Sequence, residues 1–343
     1  MQLIVKTTTR CNFDCTFCSA DKISVGTNIN IEVLKNFISK YAVDSFNELI
    51  FEGGEPLLIS PEKYLSLFDW IEHNNININQ YGFTTNLWDF YKRPDKWSDI
   101  FRRDDVSVCT SFQYGSARRI TKNVIYTESM FVDVYNKFKQ LVGKDLPFIA
   151  VIDDNNKHTA IQTVKLAQQL NTTCKINPLF IAGKSDNCFR WPDMLNIYAD
   201  IIENGLTDWE ENSKLVYNLV TNHYAEKSCP FIHHCNDGFA VITTDGLVSR
   251  CSIDIQTHQK QNIIHFVGRD RVSDITRVNQ YKIVKPDCLM CRCFDWCNTC
   301  KVKIYEAQQL ADQSYCDLMC DAVDRLQDVC RKVNTDSQSN TSK

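Results

Sequence analysis

Cys11, Cys15 and Cys18 follow one another at the spacing C-x3-C-x2-C. Three thiolates so close in sequence converge only if the backbone wraps around a common centre. Iron–sulfur clusters are held by cysteine runs of this kind, and a four-iron cube on three protein ligands keeps one iron open. An open coordination position marks catalytic rather than structural metal chemistry. On spacing alone the alternative is a zinc ion completed by a distant histidine. A second motif is Gly53-Gly54-Glu55-Pro56. Its glycines permit close approach of a ligand to the backbone, Glu55 offers acceptors to an ammonium group, and Pro56 stiffens the turn. The C-terminal third is cysteine-rich. Cys229, Cys235 and Cys251 are followed by Cys288, Cys291, Cys297 and Cys300 at C-x2-C-x5-C-x2-C, then by Cys316 and Cys320. Soft thiolates at these spacings suit zinc ribbons as well as iron–sulfur clusters, and His233 and His234 beside Cys235 belong to the zinc alternative.

These motifs need elements to position them. Apolar runs predict strands at 3–5, 49–51, 81–85, 106–111, 148–152 and 175–180. Helical periodicity falls between them. Ile31, Leu34, Phe37, Ile38 and Tyr41 form one stripe behind a cap at Asn30. Ser60-Pro61-Glu62 is a helix start, with a cap, a first-turn proline and an acid at the positive end. Tyr64, Leu65, Phe68 and Ile71 follow on one face, and Met130, Phe131, Val134, Phe138 and Leu141 form a third stripe. Six strand–helix alternations predict a parallel α/β sheet, open or curled toward a barrel. Ligands on such sheets bind at the carboxyl ends of the strands, where the first two motifs fall. Residues 191–224 read as a helical bridge, Thr244-Asp245-Gly246 as a hairpin turn, 302–332 as mostly helix, and 334–343 as a disordered polar tail.

The chain has 343 residues, a formal charge of −4 and 17 cysteines. It contains no run of about 18 apolar residues such as a membrane span requires, and no basic, apolar-cored secretion signal. Its mild acidity gives no support for a broad nucleic-acid surface. Many thiols in a long chain without a signal point to a reducing compartment, the cytoplasm, and to metal binding rather than disulfides.

Taken together, Cys11, Cys15 and Cys18, with Phe17 beside the last, and the unaltered Gly53-Gly54-Glu55-Pro56 resemble the radical S-adenosylmethionine superfamily. The resemblance covers the motifs and the strand–helix succession of residues 1–180. It implies an α/β fold, a partial (β/α)6 barrel over 1–185, and a [4Fe–4S] cluster whose open iron is chelated by S-adenosylmethionine. It implies reductive cleavage to methionine and a 5′-deoxyadenosyl radical that takes a hydrogen atom from substrate. Cofactor contacts are expected at Thr85-Asn86, at Ser111, and at Arg118 or Arg119, the last pair through the cofactor's carboxylate. An electron donor such as a flavodoxin or ferredoxin is implied.

Past a bridge at 186–228, residues 229–322 resemble the SPASM extension of these enzymes, followed by 323–343 as helix end and tail. That resemblance implies two auxiliary [4Fe–4S] clusters. Cys229, Cys235, Cys251 and Cys300 would hold one. Cys288, Cys291, Cys297 and Cys316 would hold the other, with Cys320 as substitute for Cys316. The spacing before Cys300 is one residue shorter than the pattern. Enzymes of this layout mostly modify peptide or protein side chains, so a peptide or protein substrate is expected. The same chemistry on a small molecule or nucleotide base is one alternative, and a non-catalytic zinc-binding protein another. Cys11 lies so near the start that no leader-binding domain is expected before it. The acid that sulfatase-maturing members place directly after the third SPASM cysteine is displaced here to Asp254. Asp254 and Asp153, with Asp154, are the candidates for a base. Cys293 has no assigned role.

Overall fold

The computed structural model describes residues 2–19, 28–41, 46–221, 228–231, 239–246, 248–249, 251, 286–297, 300, 303 and 313–341. Two compact units divide the chain. The first is built on Met1–Pro147, Ile181–Asp186 and His234–Arg277, the second on Phe148–Phe180, Asn187–His233 and Val278–Lys343.

The first unit alternates strand and helix. Its strands are β1 (Gln2–Thr8), β2 (Glu48–Gly53), β3 (Gln80–Thr84) and β4 (Val106–Ser111). A short hairpin follows, β5 (Arg119–Thr121) with β6 (Val124–Ile125). β1, β2, β3 and β4 are parallel neighbours in that order. β9 (Phe239–Ile242) adds to the other edge of β1, also parallel, and β10 (Val248–Ser249) returns antiparallel to it. The expected turn at Thr244-Asp245-Gly246 therefore joins two strands, and Gly246 takes the left-handed φ of +79° that it requires.

Between the strands lie α1 (Ile31–Tyr41), α2 (Pro61–His73) and α5 (Glu128–Val142), with the short α3 (Trp88–Lys92) and α4 (Ser98–Arg102) after β3. The Asn30 side chain caps α1 through the Glu32 N–H, at 2.9 Å. Ser60 occupies the cap position of α2 but makes no side-chain cap bond. Along α2 the buried face is Tyr64, Leu67, Phe68 and Ile71. Leu67 takes the place expected of Leu65, because i, i+3, i+4, i+7 spacing selects it. Aromatic rings fill the core above the sheet: Phe68 stacks on Tyr81 at 3.8 Å, and Phe51, Tyr64 and Phe83 meet at about 5 Å. Burying each such ring contributes roughly 1.5–3 kcal/mol.

The second unit holds β7 (Phe148–Ile152) parallel to β8 (Cys174–Pro178), with α6 (Ala160–Gln169), α7 (Trp191–Glu203) and α8 (Glu211–Val220). A C-terminal helix spans Gln313–Thr341. It buries Tyr315, Met319, Ala322, Val323, Leu326 and Cys330, and its Arg325 bonds Asn196 and Asp200 on α7. The tail expected to be disordered from residue 334 is instead helical to Thr341. Once a helix is nucleated and packed, each further turn propagates at little cost even in polar sequence, and Tyr217 donates to Asn334 at 3.5 Å. Among the described residues no helix is long and apolar enough to cross a membrane.

Candidate active site

β1 ends at Thr8 and runs directly into the Cys11–Cys18 loop, which three segments of the first unit pin in place. From one side, the Gly54 N–H donates to the Thr8 carbonyl at 2.7 Å and the Glu55 N–H to the Arg10 carbonyl at 2.8 Å. From a second side, the loop lies along the β5 hairpin, with the Asp14 N–H bonded to the Arg119 carbonyl and the Thr16 N–H to the Ala117 carbonyl. From a third, the Lys184 N–H donates to the Cys18 carbonyl at 2.9 Å, and the Lys184 ammonium pairs with Asp14 at 2.6 Å.

The glycines are explained by this packing. A Cβ on Gly54 would lie 2.1 Å from the Arg10 carbonyl oxygen, and one on Gly53 2.5 Å from that of Thr8. Their bareness admits the chain's own Cys11–Cys18 loop. Gly183 repeats the device: its φ is +57° and its Cβ would meet the Cys18 carbonyl oxygen at 2.1 Å. Sequence reasoning missed Gly183, Lys184 and the β5 hairpin. The only signal was a glycine standing past the end of β8.

Glu55 is 1% exposed. One carboxylate oxygen accepts from the Leu57 N–H at 3.1 Å and from the Thr85 hydroxyl, the other from the Asn86 N–H at 2.8 Å. Burial pushes its carboxyl up to about 7 against the pull of these donors. The turn motif is thereby tied to the end of β3. Asn86 in turn aims its amide N–H group at the Asn12 side chain, at 2.7 Å, and at the Cys11 sulfur, at 3.9 Å. The Cys11 sulfur also accepts from the Phe13 N–H at 3.3 Å. Cys11 is exposed as a residue, yet its thiol lies low in the site. Desolvation, then the Glu55 charge, push it up to about 12, with Cys18 and Cys15 adding to the rise. The Cys15 and Cys18 thiols are thus near enough to Cys11 for their charges to act on it.

Ser111, at the end of β4, accepts from Arg118 at 2.8 Å. The Arg118 guanidinium also bonds the Gln113 side-chain oxygen twice and lies over the Phe17 ring at 5.3 Å. Arg118 is 6% exposed, and among the described residues its hydrogen-bond partners, Ser111 and Gln113, are neutral. A buried charge left without an opposite charge is costly. Arg119 faces elsewhere, its guanidinium bonded to the carbonyls of Ser116 and Lys122 in its own hairpin. Of the two, Arg118 is the one buried beside Ser111.

The base candidates fare differently. Asp153, after β7, accepts from the N–H groups of Asn155 and Asn156 and so closes its own turn, while Asp154 is exposed and paired with Lys157. Asp254 and Cys235 lie outside the described residues. Cys229 and Cys300 belong to the second unit and Cys251 to the first. In the second unit the sulfurs of Cys291, Cys293 and Cys320 lie within 4.8 Å of one another. Cys288, Cys316, Cys291 and Cys320 are near enough for their charges to raise the Cys297 thiol, which burial chiefly pushes up to about 12.

The model of the radical SAM superfamily matches residues 5–188. The chain belongs to the radical SAM superfamily. The solved structure of anSMEcpe with bound AdoMet matches with a TM-score of 0.68 at 16% identity, covering 97% of this chain and 95% of that one. The same enzyme with bound AdoMet and the Cp18Cys peptide matches at 0.66 and 16% identity, covering 97% and 99%. Streptococcus suis SuiB bound to the precursor peptide SuiA matches at 0.60 and 15% identity, covering 89% of this chain and 72% of that one. No curated protein matches the sequence. The fold is accordingly the α/β partial barrel of radical SAM enzymes, and the protein is an enzyme of that superfamily. Membership implies a [4Fe–4S] cluster and S-adenosylmethionine.

Proposed function

We propose that the protein is a radical SAM enzyme that abstracts a hydrogen atom from a peptide or protein side chain, with Cys11, Cys15 and Cys18 holding the cluster. The residues present fit that group: three thiols on one short loop, an amide N–H aimed at one of them, and a buried arginine whose partners among the described residues are neutral. When bound, the cluster and S-adenosylmethionine supply one electron and a 5′-deoxyadenosyl radical.

The chain's own residues supply position. Gly53 and Gly54 admit the loop that carries the thiols, and Gly183 with Lys184 fixes its far end. Glu55 locks the turn to the end of β3 and so orients Asn86 toward Cys11. Arg118, held by Ser111 and Gln113, presents a desolvated cation to the cofactor's carboxylate, where a charge-assisted bond is strongest. Phe13, Trp88, Tyr126 and Phe112 pack beside the loop and keep water from it.

Two things support a peptide substrate: the cysteine-rich C-terminal extension, and the peptides bound by anSMEcpe and SuiB in structures of this fold. In the same reading Cys229, Cys235, Cys251 and Cys300 carry an auxiliary [4Fe–4S] cluster, a flavodoxin or ferredoxin supplies electrons, and the cytoplasm supplies the reducing setting that so many thiols require. For Cys288, Cys291, Cys297 and Cys316, the implied second cluster, the thiols gathered most closely are a different set.

The observation that carries the reading is the pinned three-thiol loop beside a buried arginine whose partners among the described residues are neutral. Its test is anaerobic reconstitution with iron and sulfide, then incubation with S-adenosylmethionine, dithionite and a deuterated peptide encoded beside the gene. The expected products are methionine and 5′-deoxyadenosine carrying deuterium from the peptide. No 5′-deoxyadenosine refutes the radical reading. Deuterium-free 5′-deoxyadenosine, together with transfer from a deuterated small-molecule pool, refutes the peptide.

A further inference from the structure

Cys293 lies outside the C-x2-C-x5-C pattern, inside its five-residue gap, yet it is the most deeply buried thiol of that loop, 1% exposed. Its sulfur stands 2.9 Å from that of Cys320 on the C-terminal helix. Cys291 completes a triad with all three sulfurs within 4.8 Å. The backbone is arranged around them: the Cys293 N–H donates to the Cys291 sulfur at 3.4 Å, and the loop turns through the Cys291 N–H to the Cys288 carbonyl at 3.1 Å. The halves are clamped together beside the sulfurs. Arg292, between Cys291 and Cys293, forms a two-pronged pair with Asp324, at 2.6 and 2.8 Å. Asp324 stands one helical turn beyond Cys320, on the same face.

Spacing decides what such a triad holds. Zinc–sulfur bonds of about 2.3 Å in a tetrahedron place sulfurs about 3.8 Å apart. A four-iron cube puts each thiolate on a separate iron and spreads its ligands farther. Three sulfurs within 4.8 Å gather around a single ion once the Cys293–Cys320 pair opens from 2.9 Å toward the tetrahedral separation. We propose that Cys291, Cys293 and Cys320 bind one soft divalent ion, zinc or ferrous iron, which staples the cysteine loop to the C-terminal helix. One of the neighbouring thiols, Cys288, Cys297 or Cys316, closes the tetrahedron. The C-terminal unit then carries a structural thiolate site where spacing implied a second cube. The inference is independent of the radical chemistry, because it concerns other residues.

The test uses the full chain, reduced and anaerobic, loaded with zinc chloride in the absence of sulfide. Iodoacetamide labelling with peptide mass mapping reads each cysteine in the unaltered protein. Zinc is expected to protect Cys320 and Cys291. Labelling of Cys320 that zinc leaves unchanged overturns the proposal, and Cys293, which the spacing-based set omits, is tested by substitution. Cobalt titration gives a second reading. The wild type is expected to show the absorption of tetrahedral cobalt thiolate, and Cys293→Ser to take up one ion fewer per chain. Cys330→Ser, on the same helix but away from the triad, is expected to bind as wild type. Equal uptake by Cys293→Ser and wild type, or retention of metal in this unit only when four sulfides accompany four irons, overturns it.

Discussion

Gly54→Ala isolates the contact between the turn and the cluster loop. The added Cβ would lie 2.1 Å from the Arg10 carbonyl oxygen, about 1.3 Å inside ordinary contact. The obstacle is backbone, so no rotamer relieves it. Overpacking of this kind costs about 1–3 kcal/mol. The forced separation also lengthens the two bonds that flank it, Gly54 to Thr8 and Glu55 to Arg10, each contributing about 1 kcal/mol. A loss of about 3 kcal/mol follows, a large fraction of ordinary domain stability but not all of it. Gly143→Ala is the control. Gly143 has a φ of +78° and open space where its Cβ would go, so it suffers backbone strain alone, about 1–2 kcal/mol. Urea unfolding followed by circular dichroism measures both, with the midpoint shifting at constant slope. Iron bound after reconstitution should fall in Gly54→Ala and not in Gly143→Ala. If Gly54→Ala unfolds with the wild-type midpoint and takes up wild-type iron, the turn does not pin the loop and the positioning argument fails.

Arg118→Gln should weaken S-adenosylmethionine binding roughly 10- to 100-fold, the worth of one charge-assisted bond, while Arg119→Gln, whose side chain serves only its hairpin, changes it less than twofold. Equilibrium dialysis of the reconstituted protein decides, and equal effects on both variants would sink the assignment. Glu210, which precedes α8 in the second unit, gives a separate pH signature. Burial raises its carboxyl from 4.5 to about 7, against bonds from the Ile176 and Ser213 N–H groups. A carboxyl protonated in the fold and ionised in the unfolded chain stabilises fully below pH 4.5, and that stabilisation is lost as pH rises to 7, about 3 kcal/mol in all. Glu210→Gln should remove its share of this slope from urea midpoints measured across pH 4.5–7, with Glu55, also raised to about 7, keeping its own, and an unaltered slope would show that the Glu210 carboxylate stays ionised.

Much of the fold was legible because period and punctuation agree with it. The expected strands at 106–111 and 148–152 match β4 and β7 end to end, since each is a short β-rich run bounded by turn residues. One helix face was misread although it was legible: Leu65 was expected where Leu67 is buried, and the i, i+3, i+4, i+7 spacing from Tyr64 selects Leu67. The hairpin of β5 and β6 was invisible, being three and two residues long with no apolar alternation. Arg118 and Arg119 could not be told apart because neighbours in a strand point to opposite faces, and nothing local says which face is buried. Gly183 could not be read as a site residue, since its reason is the Cys18 carbonyl, remote in sequence.

The motif's glutamate acts as a keystone of the strand ends. Its carboxylate spends both oxygens inside the protein, on Leu57, Thr85 and Asn86. Those three bonds join the turn after β2 to the end of β3, two strands that hydrogen-bond as neighbours. The same residue's N–H holds the Arg10 carbonyl at the end of β1. One buried side chain and its own backbone therefore fix three successive strand ends to one another, at the point where the cysteine loop departs. A metal centre with an open position needs that rigidity. In the proposed reading, a loop free to move would bring a fourth donor to the metal and close it, whereas a loop pinned on three sides would hold its three thiols in place and leave one position to the cofactor.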